Sequence, residues 1–163
     1  NNDLVLYYNT PSEGTNLLAN IDHYVKNAFD EINNGAMNGT AKISSTYWVN
    51  DPQSFGLAVA NNADLALDAY DVNYPGSGPH NYNQVIVKFT FAGDMNLDGL
   101  VDPSDYGVVD NGILLGISSN AVYSDGDSNY SGGVDAGDYA AIDNGKFNIR
   151  FNRFLHPLTD RPE

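Results

Sequence analysis

The chain has 163 residues, of which 42% are hydrophobic, and this suffices for one sizeable core or for two small modules that share an interface. The absence of cysteine excludes a disulfide framework, a thiol nucleophile and a zinc site built on thiolates. The formal net charge of −14 disfavours nucleic acid and anionic membranes as partners and favours cations. No stretch approaches the roughly 18 consecutive apolar residues of a membrane-spanning helix.

The first part of the chain predicts one strand and one long helix. Residues 3–8, DLVLYY, are mostly apolar and aromatic, which favours a strand. Residues 16–33 place apolar side chains three and four positions apart, so they share one face of an amphipathic helix. Thr15 or Asn16 is the predicted N-cap, and residues 33–35, NNG, predict a left-handed turn at the end.

The middle of the chain predicts short strands separated by irregular loops. Residues 36–83 are rich in Asn, Gly, Ser and Asp, and apolar pieces such as residues 47–49 and 55–59 are short. Residues 74–83, YPGSGPHNYN, predict a turn-rich connector. Residues 84–91, QVIVKFTF, alternate in side-chain character, which predicts the clearest strand of the chain.

An acidic segment with an internal repeat follows. Residues 94–143 contain ten aspartates and no Lys or Arg, whereas four of the seven basic residues lie in the last 18 positions. DPSDYGVVDNG at residues 102–112 is matched by DAGDYAAIDNG at residues 135–145, at an offset of 33. Two copies of one supersecondary unit are therefore expected, with short helical pieces at residues 105–115 and 138–146.

Both copies carry a spacing that fits calcium. Calcium takes about six to eight oxygen ligands, and a twelve-residue loop supplies them from positions 1, 3, 5, 7, 9 and 12, with glycine at position 6. Loop 1, residues 94–105, fills these positions with Asp94, Asn96, Asp98, the Leu100 carbonyl, Asp102 and Asp105. Loop 2, residues 127–138, fills them with Asp127, Asn129, Ser131, the Gly133 carbonyl, Asp135 and Asp138. We predict two Ca²⁺ ions, bound more weakly in loop 2 because a serine replaces a carboxylate there.

With this spacing, GDMNLDGLVDPSDYGVVDNG and DGDSNYSGGVDAGDYAAIDNG resemble the two calcium-loop-helix units of type I dockerin modules, which occur in C-terminal regions of bacterial secreted or surface proteins. The resemblance covers residues 93–147 and implies two half EF-hand units that bind calcium through the loop residues named above. Residues 35–45 and 85–94 more loosely resemble the region that precedes dockerin-like repeats in large secreted or surface proteins.

The chain departs from cohesin-binding dockerins at the positions that contact the partner. Those dockerins often carry a Ser/Thr pair at loop positions 10 and 11, followed by basic residues on the helix. This chain has Pro103-Ser104 and Ala136-Gly137 at the loop positions, and its helices carry Asp110 and Asp143. The resemblance therefore implies calcium binding more directly than cohesin binding.

No residue pattern in the sequence clearly indicates a catalytic site. Three histidines, His23, His80 and His156, are scattered without paired spacing, and no serine lies in a nucleophile-elbow pattern. The clustered aspartates are assigned to calcium rather than to a carboxylate pair for glycoside hydrolysis. We therefore predict that the protein is not an enzyme.

Three further features bear on partners. The tail, residues 148–163, is basic and aromatic, and either packs on its own acidic module or binds that of a neighbouring molecule. The strand at residues 3–8 either pairs within its own sheet or is donated to another subunit. Aromatic residues of the middle region either pack in the core or form a platform for sugars: Tyr47, Trp48, Tyr70, Tyr74 and Tyr82.

The predicted fold class is α+β. Residues 1–92 would form a small β-sheet, using residues 3–8 and 84–91, with one long amphipathic helix, and residues 93–147 the dockerin-like pair of calcium-loop-helix units. The expected function is an extracellular, calcium-stabilised structural or assembly module, such as a subunit of a bacterial surface fibre or matrix. It would act through protein-protein contacts with identical subunits or a cohesin-like domain. The alternatives are a docking module of a secreted hydrolase and a carbohydrate-binding module.

Overall fold

The computed structural model describes residues 3–34, 42–62, 65 and 83–146. Within these ranges, three strands and four α-helices form an α+β fold. None of the helices in these ranges is long and apolar enough to cross a membrane. A one-turn 3-10 helix, Tyr123–Asp125, precedes loop 2. In chain order the elements are β1 (Leu4–Tyr7), α1 (Pro11–Asn34), α2 (Thr46–Asn50), β2 (Phe55–Asn61), β3 (Gln84–Phe91), α3 (Pro103–Leu114) and α4 (residues 139–146).

The sheet is antiparallel, in the order β1-β3-β2, so β3 is its central strand. β3 has the predicted bounds, and the strand predicted at residues 3–8 forms as β1, which pairs with β3 of its own chain. The predicted sheet was incomplete, because β2 adds a third strand on the other side of β3. The sequence of β2, FGLAVAN, lacks the alternation of polar and apolar residues found at residues 88–91 of β3, and residues 57–60 are all buried.

Helix α1 begins at Pro11, five residues before the predicted start. Thr10 caps it, because Thr10 Oγ1 accepts a hydrogen bond from the Glu13 amide (3.3 Å) and Glu13 Oε2 accepts one from the Thr10 amide (3.2 Å). This is a capping box with proline at the first helical position. The predicted caps Thr15 and Asn16 were therefore wrong. Thr15 lies inside the helix and donates its hydroxyl to the Pro11 carbonyl (3.1 Å).

Residues 47–49, expected as an apolar piece among short strands, lie instead in helix α2. Trp48 is 2% exposed and packs against Phe29 of α1, with 6.3 Å between the ring centroids. Burial of this large side chain stabilises a helix of five residues, which is too short to be stable alone. The connector predicted at residues 74–83 lies, apart from residue 83, outside the described residues.

One cluster of buried side chains joins α1, the sheet and the two loop-helix units. α1 contributes Val25, the sheet contributes Val59 and Val87, and the loop-helix units contribute Val109 and Ile142, each at most 3% exposed. The segments on the two sides of the predicted boundary after residue 92 therefore share one core. The tail predicted at residues 148–163 lies outside the described residues.

The placement of this core predicts two very different effects of truncation. Ile86 in β3 is fully buried, whereas Leu114 at the end of α3 is 84% exposed. Ile86→Ala should lower the free energy of unfolding by about 2–5 kcal/mol, because it leaves a cavity. Leu114→Ala should change it by less than about 0.5 kcal/mol. Urea denaturation followed by the fluorescence of Trp48 measures both, and equal effects would contradict this core.

Candidate metal centre

The two loops share one backbone conformation. Their fourth residues, Leu97 and Tyr130, have φ of 63° and 56°, and their sixth residues, Gly99 and Gly132, have φ of 86° and 91°. Left-handed backbone is unfavourable for Leu and Tyr but not for glycine, so its recurrence at both positions indicates a common winding. The repeat in the sequence is therefore also a repeat in the structure.

The first predicted ligand of each loop is buried. Asp94 and Asp127 are 0% and 1% exposed, and the Oδ2 atom of each accepts a hydrogen bond from the amide of the sixth loop residue, at 3.0 and 2.7 Å. Asp94 Oδ2 also accepts a hydrogen bond from the hydroxyl of Thr90 in β3. Each loop therefore wraps around the carboxylate of its own first residue.

The last predicted ligand of each loop, Asp105 or Asp138, is buried as well. Asp105 Oδ1 accepts a hydrogen bond from the Met95 amide (2.7 Å), and its Oδ2 accepts one from the Asp102 amide (2.8 Å). Asp138 makes the equivalent bonds to the amides of the second and ninth residues of loop 2, both at 2.9 Å. These carboxylates tie the two ends of each loop together. Helix α3 begins at Pro103, two residues before the predicted start.

The other eight predicted ligands lie at or near the surface of the loops, exposed or half-buried. Asn96 Nδ2 donates to Asp98 Oδ2 (3.1 Å), and Ser131 Oγ donates to the Gly133 carbonyl (3.1 Å). All twelve predicted ligands thus lie in two loops of matching shape. The eight are Asn96, Asp98, Leu100, Asp102, Asn129, Ser131, Gly133 and Asp135.

Asp94 leaves one oxygen without a partner in the described structure, since its Oδ1 is buried and accepts no hydrogen bond. Burial raises the pKa of Asp94 to about 6; the Thr90 hydroxyl opposes the shift and the charge of Asp105 adds to it. Burial also raises the pKa of Asp105 and of Asp127. Buried carboxylates without compensation are unfavourable, and a divalent cation coordinated by their oxygens removes that penalty. The residues present therefore fit a calcium ion.

Within the described residues, no group of three or more His, Cys, Asp or Glu side chains is arranged to hold a metal ion. The predicted ligand sets are mixed, because each combines carboxylates with an asparagine and a backbone carbonyl. Their buried carboxylates are hydrogen-bonded to loop amides. Calcium binding therefore stays a prediction.

Three side chains outside the loops contact or border them and were not identified from the sequence. Lys88 Nζ donates to the Leu97 carbonyl (2.8 Å), Thr90 donates to Asp94, and Asp22 of α1 lies within electrostatic reach of loop 2. The alternation in β3 was the available signal for the first two, because Lys88 and Thr90 lie with Gln84 among the polar residues on one face of a mostly apolar strand.

A symmetric pair of hydrogen bonds links α3 with α4. Tyr106 donates to Asp143 Oδ1 and Tyr139 donates to Asp110 Oδ1, both at 2.5 Å. The two tyrosine rings stack with 6.1 Å between their centroids. The bond to Asp143 raises the pKa of Tyr106 to about 12. The aspartates found in place of basic residues are therefore paired with tyrosines across the two units.

The remaining candidates divide between packing and surface positions. Trp48 is buried, so it is not available to a sugar platform, whereas Tyr47 is 62% exposed beside Phe89. His23 is exposed on α1 and lies 3.3 Å from the Asn27 amide nitrogen. The other candidates lie outside the described residues: Tyr70, Tyr74, His80, Tyr82 and His156.

No protein-family model, no curated protein and no solved structure matches this chain. The loops and their surroundings are therefore the basis of the functional proposal.

Asp22 places a further carboxylate beside loop 2, and its Oδ1 is buried without a hydrogen-bond partner in the described structure. Burial raises its pKa to about 7, and the charge of Asp127 adds to the shift. In the calcium-free protein the folded state therefore holds a proton that the unfolded chain releases near pH 4. The contribution of Asp22 to stability is present below about pH 4 and is lost as the pH rises through about 7.

Asp22→Asn should therefore stabilise the calcium-free protein at pH 8, by about 2–4 kcal/mol, and change little at pH 4. Urea denaturation with a calcium chelator at the two pH values measures this. Asp30→Asn is the matched control on the same helix, because Asp30 pairs with Lys26 near the surface at 3.0 Å and its loss should cost less than about 1 kcal/mol at pH 8. An Asp22→Asn variant that follows the wild type at both pH values would contradict this account.

Proposed function

We propose that the chain is an extracellular structural or assembly module, such as a subunit of a bacterial surface fibre or matrix, which two calcium ions stabilise. The observation that carries the proposal is the buried and unpartnered Asp94 Oδ1, inside a loop whose conformation recurs in loop 2. A buried carboxylate oxygen with no protein partner fits a cation site better than a solvated acidic turn. Extracellular placement fits because millimolar calcium is available there, and sites of this kind need no regulation.

Each loop would hold its ion through the six ligand positions named above. Bound calcium supplies the positive charge that offsets the burial of the carboxylates. Asp94 and Asp105 would then fix the end of β3 against the start of α3, and Asp127 and Asp138 would fix the start of α4 in the same way. Because both units share the core of the sheet, binding should stabilise the described fold as a whole.

Exposed apolar residues support a role in protein-protein contacts. Ile113, Leu114 and Leu115, at the end of α3, are 42%, 84% and 66% exposed. Adjacent large apolar side chains at a surface are typical of binding sites. With a net charge of −14, the surface fits a partner that is basic and apolar. The sequence of the tail, residues 148–163, has that chemistry, so identical subunits would supply it to one another.

Docking to a cohesin-like protein is the second candidate function. It is suggested by the resemblance of the two units to dockerin modules. The symmetric surface of α3 and α4 supports it, because the Tyr106–Asp143 and Tyr139–Asp110 pairs offer the same groups twice. These groups are phenols and carboxylates rather than basic side chains, so a partner with basic residues fits best. Carbohydrate binding has less support, because Trp48 is buried.

Calcium removal tests the first part of the proposal. Calcium at 100 times its Kd stabilises a single-site protein by about 2.7 kcal/mol, which corresponds to roughly 5–10 °C in Tm for a chain of this size. A chelator should therefore lower the Tm by at least this much. Asp94→Asn should reduce the calcium response more than Asp127→Asn, because loop 1 has four carboxylates and loop 2 has three. A Tm that the chelator does not change would exclude stabilisation of the fold by calcium.

Assembly is tested by sedimentation and electron microscopy with calcium or with chelator. Oligomers should form with calcium, and Leu114→Asp should weaken them while the calcium response of the Tm persists. A protein that stays monomeric at high concentration with calcium contradicts the assembly role. Capture by a cohesin in a pull-down would then favour the second candidate.

A further inference from the structure

Both loops contact the sheet through their fourth residue. In loop 1 the Leu97 carbonyl accepts a hydrogen bond from Lys88 Nζ at 2.8 Å. In loop 2 the Tyr130 hydroxyl donates to the Leu57 carbonyl. Leu97 and Tyr130 are equivalent in the repeat, are 1% and 2% exposed, and both have positive φ. Equivalent positions of the two loops are therefore anchored on one sheet.

The two hydrogen bonds between the loops and the sheet lie at neighbouring positions of the β2–β3 pair. Leu57 lies directly opposite Phe89 in the antiparallel register, and Lys88 and Thr90 flank Phe89. The Thr90 hydroxyl donates to Asp94, the first residue of loop 1. Contacts from both loops therefore fall within one residue of a single cross-strand pair.

The Tyr130 ring, whose hydroxyl contacts the sheet, is packed against two other aromatic rings. Its ring centroid lies 5.5 Å from that of Phe29 and 5.9 Å from that of Tyr123. Densely packed interiors transmit small displacements instead of absorbing them. A change in the winding of loop 2 at Tyr130 would therefore reach the Leu57 carbonyl.

Within the described residues, no backbone hydrogen bond joins the two loops directly. Loop 2 pairs with the segment that follows α3, because the Val134 amide donates to the Ile117 carbonyl (2.8 Å) and the Ala121 amide donates to the Gly132 carbonyl (3.0 Å). The sheet is a hydrogen-bonded neighbour that both loops share.

We propose that the β2–β3 pair couples the two loops, so that calcium in loop 2 raises the calcium affinity of loop 1, a coupling that rests on the calcium function proposed above. Lys88, Thr90 and Tyr130 are its positioning residues. By linkage the effect is reciprocal, and each ion raises the affinity of the other loop by the same factor. At the loop 2 end the coupling depends on one hydrogen bond, which the Tyr130 hydroxyl donates. Each ion should therefore raise the calcium affinity of the other loop roughly two- to tenfold.

Calorimetric calcium titration of the full chain measures the coupling. Asp127→Asn with Asp135→Asn disables loop 2, and the affinity of loop 1 is compared with that in the intact chain. In the wild-type background, disabling loop 2 should lower the affinity of loop 1 by roughly two- to tenfold. In the Tyr130→Phe background, which keeps the ring and removes only the hydroxyl, the affinity of loop 1 should be the same with loop 2 intact or disabled.

Hydrogen exchange gives a second readout, and two further variants complete the design. With loop 1 disabled by Asp98→Asn and Asp102→Asn, calcium bound in loop 2 should slow amide exchange in β2 and β3, and Tyr130→Phe should abolish this effect. Tyr139→Phe is the control, because its hydroxyl contacts Asp110 and not the sheet, and it should leave the coupling intact. Lys88→Met keeps the apolar stem and removes the hydrogen bond to the Leu97 carbonyl, so it should uncouple the loops at the loop 1 end. It takes the place of Tyr130→Phe if that variant does not fold.

The outcomes separate this inference from the calcium function itself. If neither loop binds calcium, the proposed function fails and the coupling fails with it. If both loops bind calcium independently in the wild type, or if coupling persists in both Tyr130→Phe and Lys88→Met, the coupling through the sheet is wrong and the calcium function stands.

Discussion

The burial of carboxylates in the core is the constraint on which the rest of this structure depends. Asp94, Asp105, Asp127 and Asp138 are each at most 1% exposed, and a carboxylate removed from water must find donors or a cation. Loop amides supply most of the donors, and each loop turns through positive φ at its fourth and sixth positions, where the amide of the sixth residue donates to the first carboxylate. One oxygen, Asp94 Oδ1, still has no donor in the described structure.

The surrounding elements are arranged around these buried charges. β3 carries Lys88 and Thr90 toward loop 1, while its apolar residues pack in the shared core. α1 brings the buried carboxylate of Asp22 toward Asp127, so the calcium-free protein holds two acidic groups in proximity. Burial of Asp22, together with the smaller effect of the Asp127 charge, destabilises the fold above the pKa of Asp22, and a nearby cation offsets this penalty. This penalty is the physical basis for the calcium requirement proposed above.

Features encoded by neighbouring residues could be predicted from the sequence. The alternation in residues 84–91 predicted β3 with its observed bounds, and the internal repeat predicted two units of one kind, whose loops share a backbone conformation. The start of α1 was missed because Pro11 and Gly14 favour a loop, although Thr10 and Glu13 already form a capping pattern. Strand β2 was left out of the sheet because its buried run lacks alternation.

Features that depend on distant parts of the chain could not be predicted in this way. Tyr130 and Leu57 are 73 residues apart, and no local pattern indicates that the hydroxyl of one meets the carbonyl of the other. The helical state of α2 likewise depends on Trp48 packing against Phe29 of another element. Asp22 was assigned to no site, because its burial becomes apparent only when α1 packs beside loop 2.

A crystal structure of the protein grown with calcium, with anomalous scattering used to locate the ions, tests the central claim most directly. The account predicts two anomalous peaks, one in each loop, with the loop 1 ion bound to Asp94 Oδ1 at about 2.3–2.6 Å. An unoccupied loop 1, with Asp94 Oδ1 hydrogen-bonded to a protein donor or to water in the presence of saturating calcium, would contradict it.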